Sequence, residues 1–343
     1  VKGWLLLPHG LPPPPPQVEH QGKVRLLSQV GGAVIDVALD GQLAYIGKGQ
    51  RLLGLSLTEK EQFELGGSSI NLPDIVQAVA VSENIAYVAD GGGGLRILDV
   101  SASEYKELGN YATWASGVAV IEREKSKIAI LTDGDVRILD VTDPAQPLEL
   151  NRIATKGFAN SVTLYEQYAF IADGEAGGVL LDLQDPKQPA VLSQFDVEGY
   201  AYGGSIAKLG ERLTVIVACG KEGGVQVIDV SDASKPRNIG GLKVDGSPHD
   251  VLVEGSTGFV AAGEGGVQVI SLSNPEKPLL QSQSAVSGYA LNIALKDNNL
   301  FVADGDSLLA IDSTDKVNLK KKASYEVLGS AYDVVLTLSL IHI

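Results

Sequence analysis

Residues 86–100 read AYVADGGGGLRILDV, four glycines set between two apolar runs. A run of this kind is either a glycine-rich cradle for a phosphate or a turn between strands. A phosphate cradle needs a helix start directly after its glycines, and the P-loop pattern adds Gly-Lys-Ser/Thr. Here the glycines lead into LRILDV, which alternates with the period of a strand, and no Lys-Ser/Thr follows.

The stretch recurs along the chain. Its counterparts are AYIGKGQRLLGLSL from 44, IAILTDGDVRILDV from 128, AFIADGEAGGVLLDL from 169, VIVACGKEGGVQVIDV from 215, FVAAGEGGVQVISL from 259 and FVADGDSLLAIDS from 301. The glycines that open the turns are Gly49, Gly91, Gly134, Gly174, Gly220, Gly263 and Gly305, at intervals of 40 to 46 residues. A required phosphate cradle would not be rewritten so freely within one molecule. The four glycines are the loosest version of a repeated turn.

Each unit holds four short apolar stretches bounded by Gly, Asp, Ser or Pro; in the second copy these are 76–81, 85–89, 95–100 and 106–111. Lengths of four to seven residues, rich in Val, Ile, Leu and Tyr, read as strand–turn–strand, and no segment has a helical period. Four strands per unit of this length predict an all-β fold, a β-propeller of four-stranded antiparallel blades stacked around an axis. Naming the strands a to d from the axis outward, Asp-Gly turns join b to c. The motif DVTDPAQP (140–147), echoed at 182–189, 229–236 and 271–278, joins c to d with Asx and proline turn chemistry.

These residues resemble the LVIVD-repeat proteins, whose unit runs roughly AYVAD-G-G-L-x-I-x-D-V-S-D-P-x-x-P. The resemblance extends over about residues 24 to 336. Copies one, five and six depart from it, with Lys48, Cys219 and Ala262 where the unit has aspartate. It implies a β-propeller, commonly in bacterial exported or cell-surface proteins, with no activity generally assigned.

Seven complete repeats are counted. VRLLSQ (24–29) reads as a lone d strand ahead of them and AYDVVL (331–336) as a lone a strand after them. An intact ring of eight blades is therefore expected, with seven blades and spare terminal strands as the alternative. The domain reading is a proline-rich leader over 1–22, with LPPPPPQ as an extended spacer, a propeller over 23–336, and a tail over 337–343. The ending LSLIHI translates CTG TCT CTT ATA CAC ATC, the mosaic end of a transposase library adapter, and is set aside as a scar. The chain is read as cut at both ends.

A formal net charge of −15 argues against nucleic-acid binding, which runs on Lys and Arg, and against docking on an anionic membrane. No run is apolar for long enough to span a membrane. The one cysteine, Cys219 in TVIVACG, precludes an intramolecular disulfide and reads as a small buried hydrophobe rather than a nucleophile.

The b–c turns and d-to-a crossovers should share one face of the disc. Just before the first apolar residue of strand a stand Asp36, Ala78, Gly117, Ser161, Ser205, Asp250, Asn292 and Asp333, expected to line the mouth of the central channel. With Phe158 and Tyr200 nearby, the ligand-binding candidates are Asp36, Asn160, Tyr202, His249, Asp250, Tyr289, Asn292, Tyr332 and Asp333. The turn acids Asp90, Asp133, Asp173 and Asp304 are expected around them. The bland alternative is that Asp before Gly is ordinary turn chemistry and that the aromatics are wedge packing.

Three functions compete. A non-enzymatic scaffold would bind a protein or a glycan at the mouth, needing no cofactor. A glycoside hydrolase or lyase would use Asp36, Asp250 and Asp333. A structural repeat would take calcium on the turn acids, though no contiguous Asp-x-Asp-x-Asp-Gly loop exists. Outside the leader and tail, His249 is the one histidine, so a histidine-built zinc site is impossible and a Ser–His–Asp triad would have to use it. Neither Trp4 nor Trp114 sits in a sialidase-type box.

Overall fold

The computed structural model describes residues 33–123 and 125–327. Seven four-stranded sheets, each ordered a-b-c-d and antiparallel throughout, make seven blades. Blade one is Val37–Asp40, Leu43–Lys48, Arg51–Leu57 and Phe63–Ser68; blade two is Ala78–Ser82, Ile85–Ala89, Leu95–Asp99 and Lys106–Tyr111. Blade seven is Asn292–Lys296, Asn299–Ala303, Ser307–Asp312 and Lys320–Glu326.

Strands b and c are apolar on both faces because both faces are covered by the neighbouring blades. Ala86, Tyr87, Val88 and Ala89 are all fully buried. The core is accordingly seven clusters, each shared by two adjacent blades. One of them joins Ile46 and Leu55 of blade one to Ala303 and Leu308 of blade seven.

That last cluster corrects the expectation of an eighth blade. The seventh blade packs directly on the first, and Val34 N–H donates to the Gly305 carbonyl at 2.8 Å while Gly305 N–H donates to the Val34 carbonyl at 3.0 Å. The ring closes with seven because no gap is left between these two blades. The lone strands read at 24–29 and 331–336 lie outside the described residues.

The seam between blades seven and one repeats a joint found all round the ring. In each blade the b–c turn glycine bonds the crossover entering the next blade: Ala115 N–H to Gly91 O (2.9 Å), Ala159 N–H to Gly134 O (3.1 Å), Ala201 N–H to Gly174 O (3.0 Å), and Gly263 with Ala290 in both directions. Val76 N–H reaches Gly49 O at 2.9 Å. At the fifth joint Gly220 N–H donates to Pro248 O at 3.0 Å, and proline has no amide to return the bond. All seven turn glycines have φ between +48° and +93°, which a side chain resists. In blade five the longer GKEGG turn coils into a single helical turn, Gly220–Gly223, a departure from the strand-only reading.

The outer rim has its own repeated device. Every c–d pair slips register by one residue at the same place, between Ile97 and Leu98 in blade two and between Val227 and Ile228 in blade five, for example. These bulges bend strand d. The first paired position beyond each bulge is Gly67, Gly109, Asn151, Ser193, Gly240, Ser282 or Ala323, all small or amide. The c–d turn of the next blade presses there: Asn151 Nδ2 donates to Lys187 O (3.1 Å) and Ser282 Oγ to Lys316 O (2.6 Å). The turns are the Asx turns expected, with Ala145 N–H on Asp143 Oδ1 and Lys187 N–H on Asp185 Oδ1, each at 3.0 Å.

A Cβ on Gly109 would lie far inside van der Waals contact with the Pro144 carbonyl. Gly109→Ala is therefore expected to cost about 1–3 kcal/mol by forcing two blades apart. Ser193→Ala, at the equivalent point of blade four where a Cβ is already housed, should cost less than about 0.5 kcal/mol. Urea unfolding of both variants checks this, and equal losses would refute the rim contact.

Candidate functional site

Strand a of each blade begins at the mouth of the axial channel, and its first residues form two tiers around a cavity of about 370 Å³. The upper tier is Ile35, Gln77, Ser116, Asn160, Tyr202, His249 and Leu291. Six of them, from Gln77 onward, are pinned through their amides to the end of strand b, Asn160 N–H to Ala172 O and His249 N–H to Ala261 O both at 2.8 Å. Below stand Asp36, Ala78, Gly117, Ser161, Gly203, Asp250 and Asn292. In blade five the register puts Gly203, paired with Ala218, in this tier. The expected Ser205 pairs with Ile216, two residues further down the bore. Strand Gly203–Leu209 starts level with its counterparts, but Gly204 and Ser205 precede its first branched residue, Ile206, which the repeat alignment did not anticipate.

Asp36, Asn160, Tyr202, His249, Asp250 and Asn292 thus share one cavity. Tyr289 stands at its edge, with its hydroxyl 3.2 Å from His249 Nε2. Tyr332 and Asp333 lie outside the described residues.

The lower-tier side chains also hold blades together. Asp250 Oδ2 accepts the Ile293 amide (3.3 Å), Asn292 Oδ1 the Val37 amide (3.4 Å), and Asp36 Oδ2 the Val79 amide (2.7 Å). Each caps the first strand of the following blade, from the sixth round to the second. Where glycine replaces them the next blade comes closer: a Cβ on Gly203 would sit 2.7 Å from the His249 carbonyl.

Burial among strands pushes the Asp36 carboxyl up to about 6, against the pull of the Val79 and Val37 amides. Asp250 rises to about 7, through burial first, with the charge of Asp36 adding to it. Among the described residues the cavity lining holds these two acids and no Lys or Arg.

The turn acids are not in this cavity. Asp90, Asp173 and Asp304 are fully buried and tie the b–c turn to the crossover entering their own blade. Asp173 Oδ2 accepts the Gly157 amide (3.0 Å); Asp304 takes Gly288 N–H (3.1 Å) on one oxygen and Ser307 N–H (2.6 Å) on the other. Asp133 is ion-paired to Arg137 and takes the Thr113 hydroxyl at 2.8 Å. Among the described residues no three of His, Cys, Asp and Glu gather as a metal-binding group. Cys219 is fully buried, and burial pushes its thiol up to about 12, so it packs as the small hydrophobe expected.

What sequence reasoning missed is how the aromatics are arranged. Trp114, Phe158, Tyr200 and Tyr289 each precede the alanine of a joint. Three of these rings lie over the turn glycine of the preceding blade, so a Cβ on Gly174 would meet Tyr200 at 2.9 Å and one on Gly263 would meet Tyr289 at 2.6 Å. Ring centroids follow one another: Trp114 to Phe158 5.9 Å, then Tyr200 to Tyr202 4.7 Å, Tyr202 to His249 4.3 Å, His249 to Tyr289 5.2 Å. They make an arc over the crossovers that enter blades three to seven. Trp114 is 42% exposed and Tyr289 37%. The legible signal was the aromatic–Ala dipeptide at four crossovers. The Trp114 copy went unread because a threonine, not a glycine, precedes it.

A family model described as the LVIVD repeat matches residues 74–113, 156–197, 245–285 and 287–327, which are blades two, four, six and seven. In all four matched blades strands a and b are five residues each. Blades three and five have seven-residue pairs and blade one a four- and a six-residue strand, so length rather than the turn aspartate separates them. Ala262 in blade six does not prevent its match. No curated protein sequence matches. Among solved structures the chain is similar to the computationally designed Ika8 protein (TM-score 0.61, 11% identity, 84% of this chain and 86% of that one). It is similar also to Saccharomyces cerevisiae Sqt1 (0.59, 10%, 85% and 96%) and to the Neurospora crassa Pan2 WD40 domain (0.59, 10%, 87% and 90%). At these identities the likeness is one of fold.

Asp36 and Asp250, together with Asp90, which burial raises to about 7, hold protons in the folded chain that the unfolded chain has released. Their stability contribution is full below the ordinary carboxylate value near pH ~4 and is lost as pH rises through 6 to 7. The melting temperature is expected to rise on going from pH 8 to pH 5, each group contributing less than about 1.4 kcal/mol per unit of its shift because water reaches the bore. Asp36→Asn with Asp250→Asn keeps both amide caps and should flatten most of that rise; an unchanged pH slope would contradict it.

Proposed function

We propose that this LVIVD-repeat β-propeller is a non-enzymatic interaction module of an exported or cell-surface protein, taking a protein or glycan at the channel mouth. The observation that carries the reading is the aromatic arc, partly exposed on one face and set beside a cavity lined by amides and carboxylates. Exposed aromatics with polar tips are what binding faces concentrate. Placement outside the cell rests on the family resemblance.

Against the hydrolase reading stands the use already made of the carboxylates. Asp36 and Asp250 each spend an oxygen capping a neighbouring strand. Against calcium stands the same logic: Asp173 Oδ2 and both oxygens of Asp304 accept amides whose bonds would have to be broken for an ion to enter, while Asp173 Oδ1 stands without a donor.

The test is an unbiased screen of the immobilised chain against a glycan panel and a displayed peptide library, with hydrolysis assayed in parallel. Binders are expected to lose affinity with Tyr202→Ala and Tyr289→Ala and to be indifferent to Glu211→Ala in the a–b turn of the opposite face. Binders mapping to Glu211, or turnover abolished by Asp250→Asn, would overturn the module reading. The melting midpoint is expected to be unchanged by a chelator, and a drop of several degrees would restore calcium.

A further inference from the structure

We infer that the aromatic arc is a platform for an uncharged oligosaccharide, with one sugar ring seated in the mouth and the rest of the chain lying along the arc. The proposal rests on the module reading and names the ligand chemistry.

Sugars are two-faced: axial C–H groups stack on aromatic rings while the equatorial edge carries hydroxyls that need donors and acceptors. The mouth offers both in one place. Tyr202 and Tyr289 flank His249, and directly below them come the carboxylate of Asp250 and the amide of Asn292, with the amide of Asn160 beside Tyr200 (Nδ2 to the hydroxyl oxygen, 3.1 Å). The cavity, at about 370 Å³, is at the small end of ligand pockets, enough for one ring rather than a drug-sized molecule. Trp114 and Phe158 continue the platform outside it, one crossover at a time, which suits a linear chain rather than a compact ligand.

Charge narrows the class. Among the described residues no Lys or Arg lines the cavity, and a chain of net charge −15 offers uronates, sulfated glycans and nucleic acids no cation to pair with there. A lipid tail would need an apolar entrance, and here the lower tier sets Asp36, Asp250, Asn292 and Ser161 among two glycines and Ala78, ahead of the apolar residues further down the bore. A lysine-rich peptide is the competitor that the charge permits. The exposed rings favour the sugar, because a point cation needs one ring, not a succession of them.

The experiment is calorimetric titration of the whole chain with cello-, malto- and N-acetylchito-oligosaccharides of increasing length, with an oligouronate and an oligolysine for contrast. At least one neutral series is expected to bind at millimolar concentration or tighter, with affinity rising with length. Trp114→Ala and Tyr202→Ala should each weaken it by roughly tenfold. Trp114→Phe and Tyr202→Phe keep the rings, should stay within about threefold, and separate lost stacking from lost folding. Leu148→Ala on the outer rim should change nothing. No binding by any neutral sugar, or binding untouched by both alanine variants, would overturn the proposal. Tighter binding of oligolysine at the same residues would overturn the sugar and leave the module standing.

Discussion

Everything in this ring depends on a bond between two backbone segments. The glycine that turns strand b into strand c reaches forward to the crossover entering the next blade and pairs with it, at every one of the seven joints. A blade cannot bury its own two faces, so its stability is a property of its neighbours. The backbone bridge fixes how closely those neighbours approach, and the shared apolar clusters follow from that spacing. It also demands the glycine twice over. The turn needs positive φ, and at two joints, Gly174 and Gly263, the ring of the residue before the joint alanine fills the spot where a Cβ would be.

The repeated turn and its period were enough to read the blade, its strand order and the c–d turn chemistry, because these are local. Asp143 and Asp185 bond amides two residues away, within reach of any short-range argument. Ring closure was not legible. Whether Phe301 packs against a further blade or against Val37 is a contact over most of the chain, and terminal apolar stretches pointed to an eighth unit that the seam at Val34 and Gly305 leaves no room for. The Gly203 register failed for a related reason: Gly204 and Ser205 separate it from the first branched residue, Ile206, and a motif aligned on its apolar residues cannot see where pairing begins.

At the mouth, composition was legible and roles were not. Asp36, Asn160, His249, Asp250 and Asn292, all named as mouth candidates, line one cavity, but their sequence neighbours say nothing of the amide that each acid caps in the following blade. The turn acids were equally visible and went the other way, into the wall. Their carboxylates staple a loop to a turn within one blade, so they serve the wall rather than the mouth.

The joints are made of amides and carbonyls, so the side chains beside them take no part in the joint bond itself. On one side of each joint residue stands a platform position, occupied by Trp114, Phe158, Tyr200, Ser247 or Tyr289; on the other stands a bore position, occupied by Ser116, Asn160, Tyr202, His249 or Leu291. Either can change without altering the backbone bond of its own joint; Ser116 Oγ and Asn160 Nδ2 add contacts to the Ala159 (3.4 Å) and Ala201 (3.2 Å) carbonyls of the next one. The mouth is in effect written one crossover at a time, so recognition and assembly can evolve on separate atoms of the same few residues.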